Sequence, residues 1–392
     1  MKRFIAMMLC LAMTTMSFAG CGGSSEPAEE AAAPAESDVI KIGVFEPLTG
    51  ANAAGGELEV EGIKIANKLY PEVLGKKIEL VVVDNKSDKA EATTAVARLI
   101  EKENVSAIIG SWGSGYSIAA GDLVKTNQVP AVGASCTNPQ VTQGNDYYFR
   151  VCFLDPFQGT VMANYAYEKL GARKAAIIQE VSNDYSVGLA SFFVTAFKEL
   201  TGDENAIVAT ANYNTGDMEF SSQITTVMAE KPDVIFAPGN FTESALIVKA
   251  ARQQGIDVPI IGGDTWETNE FIEVGGADVE GCVMSTFFDE NSPLTDETTK
   301  FLEAYKAEYP DKNVAAVTAL GYDAYLLIYK AIEAAGSAEP QAIRDAIAQT
   351  TDMAGSTGLI SINAEGDADK NSAVIKIVKD GKFEYYDTVV LG

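Results

Sequence analysis

The sequence has no histidine among its 392 residues. That absence removes imidazole bases, Ser-His and Cys-His nucleophiles and histidine-ligated metals together. Cysteine is scarce, at five, and no pair has CxxC spacing, so a zinc site has no ligand set to draw on. Basic charge is scarce too. Lys and Arg number 29 against 55 Asp and Glu, a net charge of −26. A surface that acidic is repelled by phosphate backbones, which argues against nucleic acid as a partner. No GxxxxGK[ST] phosphate loop occurs either. Any enzyme chemistry would fall to Lys, Cys, Tyr or carboxylates. What remains is an ordinary globular mix, 47% hydrophobic and 21% charged. Its length suits two or three domains of about 150 residues.

The first twenty residues stand apart. Lys2 and Arg3 precede a mostly apolar stretch over 4–16, too short to span a bilayer as a helix. Phe18-Ala19-Gly20-Cys21 follows and resembles a bacterial lipoprotein signal, in which the Cys is lipidated and becomes the N-terminus. Phe18 departs from the usual Leu; a plain secretory signal is the alternative. Residues 22–38 are Gly, Ser, Ala, Glu and Pro with almost nothing to bury, a disordered tether reaching about 20–25 Å. The expected division is therefore a signal peptide over 1–20 and a lipidated Cys21 with tether over 21–38. Cys136, Cys152 and Cys282 then remain. They are either one disulfide and a thiol or three buried thiols; the core reading is preferred.

From Val39 onward apolar runs alternate with helical periodicity. Residues 40–45 read as a strand, and 57–70 set Leu58, Ile63, Ile65, Ala66 and Leu69 on a helical face. Residues 78–83 form a nearly continuous apolar run, as in a strand buried on both faces. A helix over 89–102 has Asp88 placed to cap it. Strand 105–109, helix 118–126 and strands 129–132 and 148–153 complete a first run. In a second, helices 157–170, 186–200, 220–229 and 244–254 alternate with strands 175–179, 206–211, 233–237 and 258–262, before strand 281–286. Helical stretches 297–309, 314–335 and 340–350 precede short strands near 358–362, 373–378 and 383–389. Two runs of βα units imply an α/β fold of two doubly wound parallel-sheet lobes. Such sheets bind ligands at the carboxyl ends of their strands.

Those strand-end loops carry the candidate chemistry. Gly110-Ser111-Trp112-Gly113-Ser114-Gly115-Tyr116-Ser117 offers hydroxyls and a free helix N-terminus, suited to a carboxylate. Gly133-Ala134-Ser135-Cys136-Thr137-Asn138-Pro139 adds the Thr137 hydroxyl. Asp264, at the end of strand 258–262, suits an ammonium; capping the helix near 269–274 is its plainer role. Pro238-Gly239-Asn240-Phe241 and the loop ending in Asp184-Tyr185 lie at two further strand ends. Each loop alone also reads as an ordinary polar turn. As a set, an anion site on one lobe and an acid on the other suit a zwitterion.

The chain resembles the extracellular solute-binding proteins of ABC transporters, in the branched-chain amino-acid family with the type I periplasmic-binding fold. The resemblance covers 39–392. Its carriers include Ile42-Gly43-Val44-Phe45-Glu46-Pro47-Leu48-Thr49-Gly50, Gly55-Gly56, Val83-Asp84-Asn85, Phe149-Arg150 with Gln158-Gly159, Gly262-Gly263-Asp264 and Gly321-Tyr322-Asp323-Ala324. It implies two lobes joined by three crossovers, near 155–157, 286–288 and 356–359. Lobe 1 would be 39–156 plus 287–357, and lobe 2 would be 157–286 plus 358–392. It implies a ligand carboxylate on Ser114 and Thr137, and an ammonium on the Ser135 carbonyl and Asp264. Trp112 and Gly113 fall at the side-chain pocket; Tyr185, Asn240 and Phe241 match cleft positions on lobe 2. Many members carry Glu where Asp264 stands. An aromatic common near Gly55 in leucine-type members is missing here.

The implied protein is a monomeric, lipid-anchored, extracytoplasmic bacterial binding protein with no cofactor, metal or enzyme activity. Its partners are an amino acid and the ABC permease subunits. A sensing module working with a separate signalling chain is the alternative. A chain lacking its first 38 residues is expected to keep the fold, read by circular dichroism. In the host, Cys21→Ser is expected to move the protein out of the membrane fraction.

Overall fold

Strand and helix alternate from the first residue that can be described. A computed structural model describes residues 39–391; the expected signal peptide, Cys21 lipidation site and tether lie outside the described residues. The strands are β1 (Val39–Glu46), β2 (Glu72–Val73), β3 (Lys76–Asp84), β4 (Ala107–Ile109), β5 (Ala131–Gly133), β6 (Tyr148–Arg150), β7 (Ala175–Glu180), β8 (Ile207–Tyr213), β9 (Val234–Phe236), β10 (Ile260–Gly262), β11 (Val283–Thr286), β12 (Met353–Gly355), β13 (Gly358–Ile360), β14 (Ser372–Lys379) and β15 (Lys382–Val390). The helices are α1 (Ala53–Leu69), α2 (Lys89–Glu101), α3 (Ser114–Asn127), α4 (Asp155–Asn164), α5 (Asp184–Thr201), α6 (Ser221–Ala229), α7 (Phe241–Gln253), α8 (Asn269–Gly275), α9 (Asp296–Glu308), α10 (Ala316–Ala335) and α11 (Pro340–Ile347). No helix among the described residues is long and apolar enough to cross a membrane.

Two sheets result, as the rhythm requires. The first runs β2-β3-β1-β4-β5-β6 and the second β15-β14-β11-β10-β9-β7-β8. β1 pairs in parallel with β3 and β4, and its Ile40, Ile42, Val44 and Phe45 are buried. The sheets are not purely parallel. β2 runs antiparallel to β3, and β14 and β15 close the second sheet as an antiparallel hairpin. Asp380 and Gly381, both at positive φ, form its two-residue turn. An Asp-Gly pair is what such a turn demands.

Several boundaries shift for local reasons. β5 starts at Ala131 because Pro130 has no N–H for the ladder. α1 and α3 begin four residues before the expected 57 and 118, through Ala-Ala-Gly-Gly and Ser-Gly-Tyr-Ser turns that apolar periodicity does not register. The expected helix 157–170 is α4 followed by a π-helical turn, Tyr165–Lys169. Residues 358–371 stay beside the first sheet. β13 pairs with β12, Gly366 O accepts from Arg150 N, and Asp367 pairs with Arg150. Arg150 thus ties residues 366 and 367 to the end of β6, and β14 then enters the second sheet. Cys136, Cys152 and Cys282 are buried free thiols.

Helices α1 and α10 meet backbone to backbone. A Cβ at Gly62 would lie 1.8 Å from Thr318 O, and one at Gly321 would lie 2.3 Å from Glu59 O. Bare backbone at these two points lets α10 bury Leu320, Tyr322, Leu327 and Ile328 against the lobe. Gly62→Ala is expected to cost about 1–3 kcal/mol or more through forced separation of the helices. The check is a lowered melting temperature, with Gly121→Ala as the reference, since that helical glycine has room for a Cβ, its nearest neighbour being Asn145 Nδ2 at 3.4 Å.

Candidate functional site

The candidate loops leave the carboxyl ends of both sheets. On the first sheet, β4 runs into Gly110 and then α3. Gly113 takes φ near +90° and stands at the helix N-cap, so Ser114 is the first residue of α3 rather than a loop residue. The first-turn N–H groups and the helix dipole favour an anion there. Ser114 Oγ accepts from Asn138 N at 3.1 Å, tying the start of α3 to the loop after β5. In that loop Thr137 is fully buried, and its hydroxyl makes no hydrogen bond of good geometry among the described residues, with the Asp155 carboxyl nearby. Ser135 Oγ donates to Glu59.

A buried guanidinium holds this loop. Arg150 Nη1 donates to the carbonyls of Cys136 and Asn138, at 2.7 and 2.9 Å, on either side of Thr137. Its Nε lies 2.6 Å from Asp367 Oδ1, and Nη2 donates to Thr142 Oγ1 at 2.6 Å. Planar fork geometry suits such multiple acceptors.

On the second sheet, Asp264 follows β10 in a short 3-10 turn. It does not cap α8; Thr268 does, accepting from Phe271 N. Asp264 Oδ1 instead accepts from Gln158 Nε2 at 2.7 Å and Tyr185 Oη at 2.9 Å. Tyr185 lies in the first turn of α5. Asn240 is the N-cap residue of α7, and its Nδ2 donates across the cleft to Asn52 Oδ1 at 3.0 Å. Phe241 opens α7 and packs its ring against Trp112, 5.8 Å between centroids.

Trp112 is thus an interlobe contact. It also lies over Gly55, where a Cβ would come 2.3 Å from the indole. The missing aromatic near Gly55 and the tryptophan at 112 are one arrangement: the indole occupies space that any side chain at 55 would need. Trp112, Gly113 and Asn240 also line an open groove of about 290 Å³ at the cleft mouth, with Asn52, Tyr116 and Asn183. Ser114, Ser135, Thr137, Tyr185 and Asp264 lie outside that groove, in the buried seam between the lobes.

Carboxyls collect here that the sequence reading did not single out. Burial pushes Asp155 up to about 8, Glu59 to about 7 and Asp264 to about 6, and holds Glu46 well above its usual range. The charge on Asp264 adds to the rise at Asp155 and Glu59, which places the three in one field. Glu46 Oε2 accepts from Trp112 N at 2.6 Å. Glu59 was legible in part. It stands four residues from both Gly55 and Ile63, an acid on the buried face of α1. Arg150, in a buried strand, carried a similar signal. Gln158 entered only as a carrier of the resemblance, and Asp155 only by its place at the expected first crossover.

Residues 39–382 match the periplasmic binding protein family. Leu/Ile/Val-binding protein homolog 1 of Brucella abortus is 30% identical over 355 residues, covering 88% of this chain and 93% of that protein. The crystal structure of a leucine-binding protein from Thermotoga maritima superposes with a TM-score of 0.86 at 42% identity, covering 90% and 99% of the two chains. A branched-chain amino acid transporter substrate-binding protein from Streptococcus pneumoniae, solved with isoleucine, gives 0.82 at 33% identity, covering 90% and 99%.

The carboxyl shifts set a pH dependence. In the unfolded chain these groups titrate near 4, so between about pH 4 and 8 the folded state holds the extra protons. Stability is full below that window and falls as pH rises through it. The ligand-free protein is expected to melt at a higher temperature at pH 5 than at pH 8. Asp155→Asn is expected to flatten the difference.

Proposed function

Because this chain belongs to the periplasmic binding protein family, we propose that it captures a branched-chain or other apolar amino acid between its lobes and delivers it to an ABC importer. The observation that carries the reading is the pairing across the cleft. Asp264, oriented by Tyr185 and Gln158, stands on one lobe, and the α3 N-terminus with Ser114 and Thr137 stands on the other. Ser114 and Thr137 hold the ligand carboxylate, aided by the helix dipole. Asp264 and the Ser135 carbonyl hold the ammonium, and that positive charge offsets the cost of burying the carboxylate. Asp264 is one methylene shorter than Glu, so the amino group sits closer to the second lobe. Trp112, Gly113, Tyr185, Asn240 and Phe241 bound the ligand's side chain. The names of the relatives, leucine-binding and Leu/Ile/Val-binding, support an aliphatic one.

Capture follows from two lobes that close on the ligand, a hinge motion at the crossovers. Lobe 1 comprises 39–154 with about 287–371, and lobe 2 comprises 155–286 with 372–391. Closure removes water from the charged groups and strengthens each contact. The closed form is what the permease recognises. The protein works outside the cytoplasm as a monomer, held to the membrane by lipid on Cys21 and the tether over 22–38. It performs no catalysis and needs no cofactor or metal.

The experiment is calorimetry with L-leucine, L-isoleucine and L-valine beside 4-methylpentanoate, which is leucine without its amine. Wild type is expected to bind an amino acid and to reject the des-amino acid. Asp264→Asn is expected to weaken amino-acid binding about ten- to a hundredfold, the scale of a charge-assisted hydrogen bond. Equal affinity for leucine and 4-methylpentanoate would remove Asp264 from the ammonium site.

A further inference from the structure

The two lobes touch along a line that holds no proposed ligand group. Lys89, the first residue of α2, places Nζ 2.6 Å from Oδ2 of Asp184, the first residue of α5. Asn138 Nδ2 donates to Asp184 O at 2.9 Å. Both contacts join the first lobe to the second. They need unusually close approach, and two glycines allow it. A Cβ at Gly115, in the first turn of α3, would lie 2.8 Å from Asp184 Oδ2 and 2.9 Å from Lys89 Cε. A Cβ at Gly188, on α5, would lie 2.7 Å from Asn138 Nδ2. Every one of these clashes is with the far end of a side chain. A methyl group at either position would therefore displace the interlobe contact rather than the backbone.

We infer that α2, α3 and α5 form a closure seam in which Lys89–Asp184 is the clasp and Gly115 the spacer that admits it. The seam sets how much of the protein is closed. The inference rests on the reading of the cleft as a ligand trap. Apparent affinity is the affinity of the closed form scaled by its population. Loosening the seam therefore multiplies the Kd of every ligand by one factor. A residue touching the ligand side chain would instead reorder the ligands. Lys89 and Asp184 are positioning residues in this sense.

The clasp is partly exposed, 48% and 38% for the two side chains, so salt screens it. Pairs of this kind change an equilibrium by roughly two- to fivefold. Gly115 adds a sharper signature. Alanine forms helix better than glycine, so Gly115→Ala is not expected to lower the melting temperature.

The test uses the chain without its first 38 residues once its fold is confirmed, and otherwise the full chain. Calorimetry with L-leucine, L-isoleucine and L-valine is run on wild type, Lys89→Ala, Asp184→Ala and Gly115→Ala, in low and high salt. Spin labels at exposed positions 102 and 199, one on each lobe, report the opening. All three variants are expected to weaken every probe by the same two- to fivefold factor in low salt, with the ranking kept. They are expected to shift the label distances toward the open form. In the Lys89→Ala background, Gly115→Ala is expected to have no further effect, since both remove one contact. A reordered ranking, or an equal cost of Gly115→Ala in both backgrounds, overturns the seam. If wild type binds none of the probes, the amino-acid reading falls, and the label distances still decide. A loss of closed population in the variants supports the seam, and unchanged distances reject it.

Discussion

Buried carboxyl groups are the constraint around which this protein is arranged. Glu46, Glu59, Asp155 and Asp264 lie where the ends of the two sheets meet, and each is fully or nearly fully removed from water. An ionised carboxylate in such a place is costly unless something positive or hydrogen-bonding meets it. The buried Arg150 does not serve that purpose alone. Its donors are spread over Asp367, Thr142 and the carbonyls flanking Thr137. The acids instead use local donors, Trp112 N for Glu46, Ser135 Oγ for Glu59, and Gln158 with Tyr185 for Asp264. Burial then leaves them inclined to hold protons.

The same region shows how side chains and bare backbone are traded. Trp112 fills the space over Gly55, and Phe241 packs on it from the opposite lobe. Gly115 and Gly188 leave room for the clasp and for Asn138. Gly62 and Gly321 let α1 and α10 interlock. In each case a missing Cβ is explained by a partner far away in sequence. None of these glycines is needed for its local conformation, since none lies at positive φ.

Arg150 links the two themes. By gripping the carbonyls on either side of Thr137, it fixes the loop that offers the hydroxyl. Through Asp367 it also anchors the stretch leading to the third crossover. The loop after β5 and the stretch before β14 therefore share one buried cation.

The sequence alone determined what depends on neighbours along the chain. The alternation of buried runs and helical faces declared two βα sheets, because side-chain period is set by local backbone geometry. Asp88 as a cap was legible, and it does accept from Ala90 N and Glu91 N. The strand-end loops were legible as loops, because Gly, Ser, Asn and Pro interrupt both periods there. The antiparallel β14–β15 edge had an unread signal in Asp380-Gly381. Only the tertiary structure decided the rest. Ser114 proved to start a helix, since a polar first turn has no apolar period to reveal it. Arg150 and Asp367 pair across more than 200 residues of chain, a contact that no local pattern announces. Glu46, Glu59 and Asp155 are raised mainly by burial, with Glu59 adding to the rise at Glu46 and Asp264 to the rise at Glu59 and Asp155. That field comes from groups brought together at the strand ends of two sheets, and no local pattern encodes it.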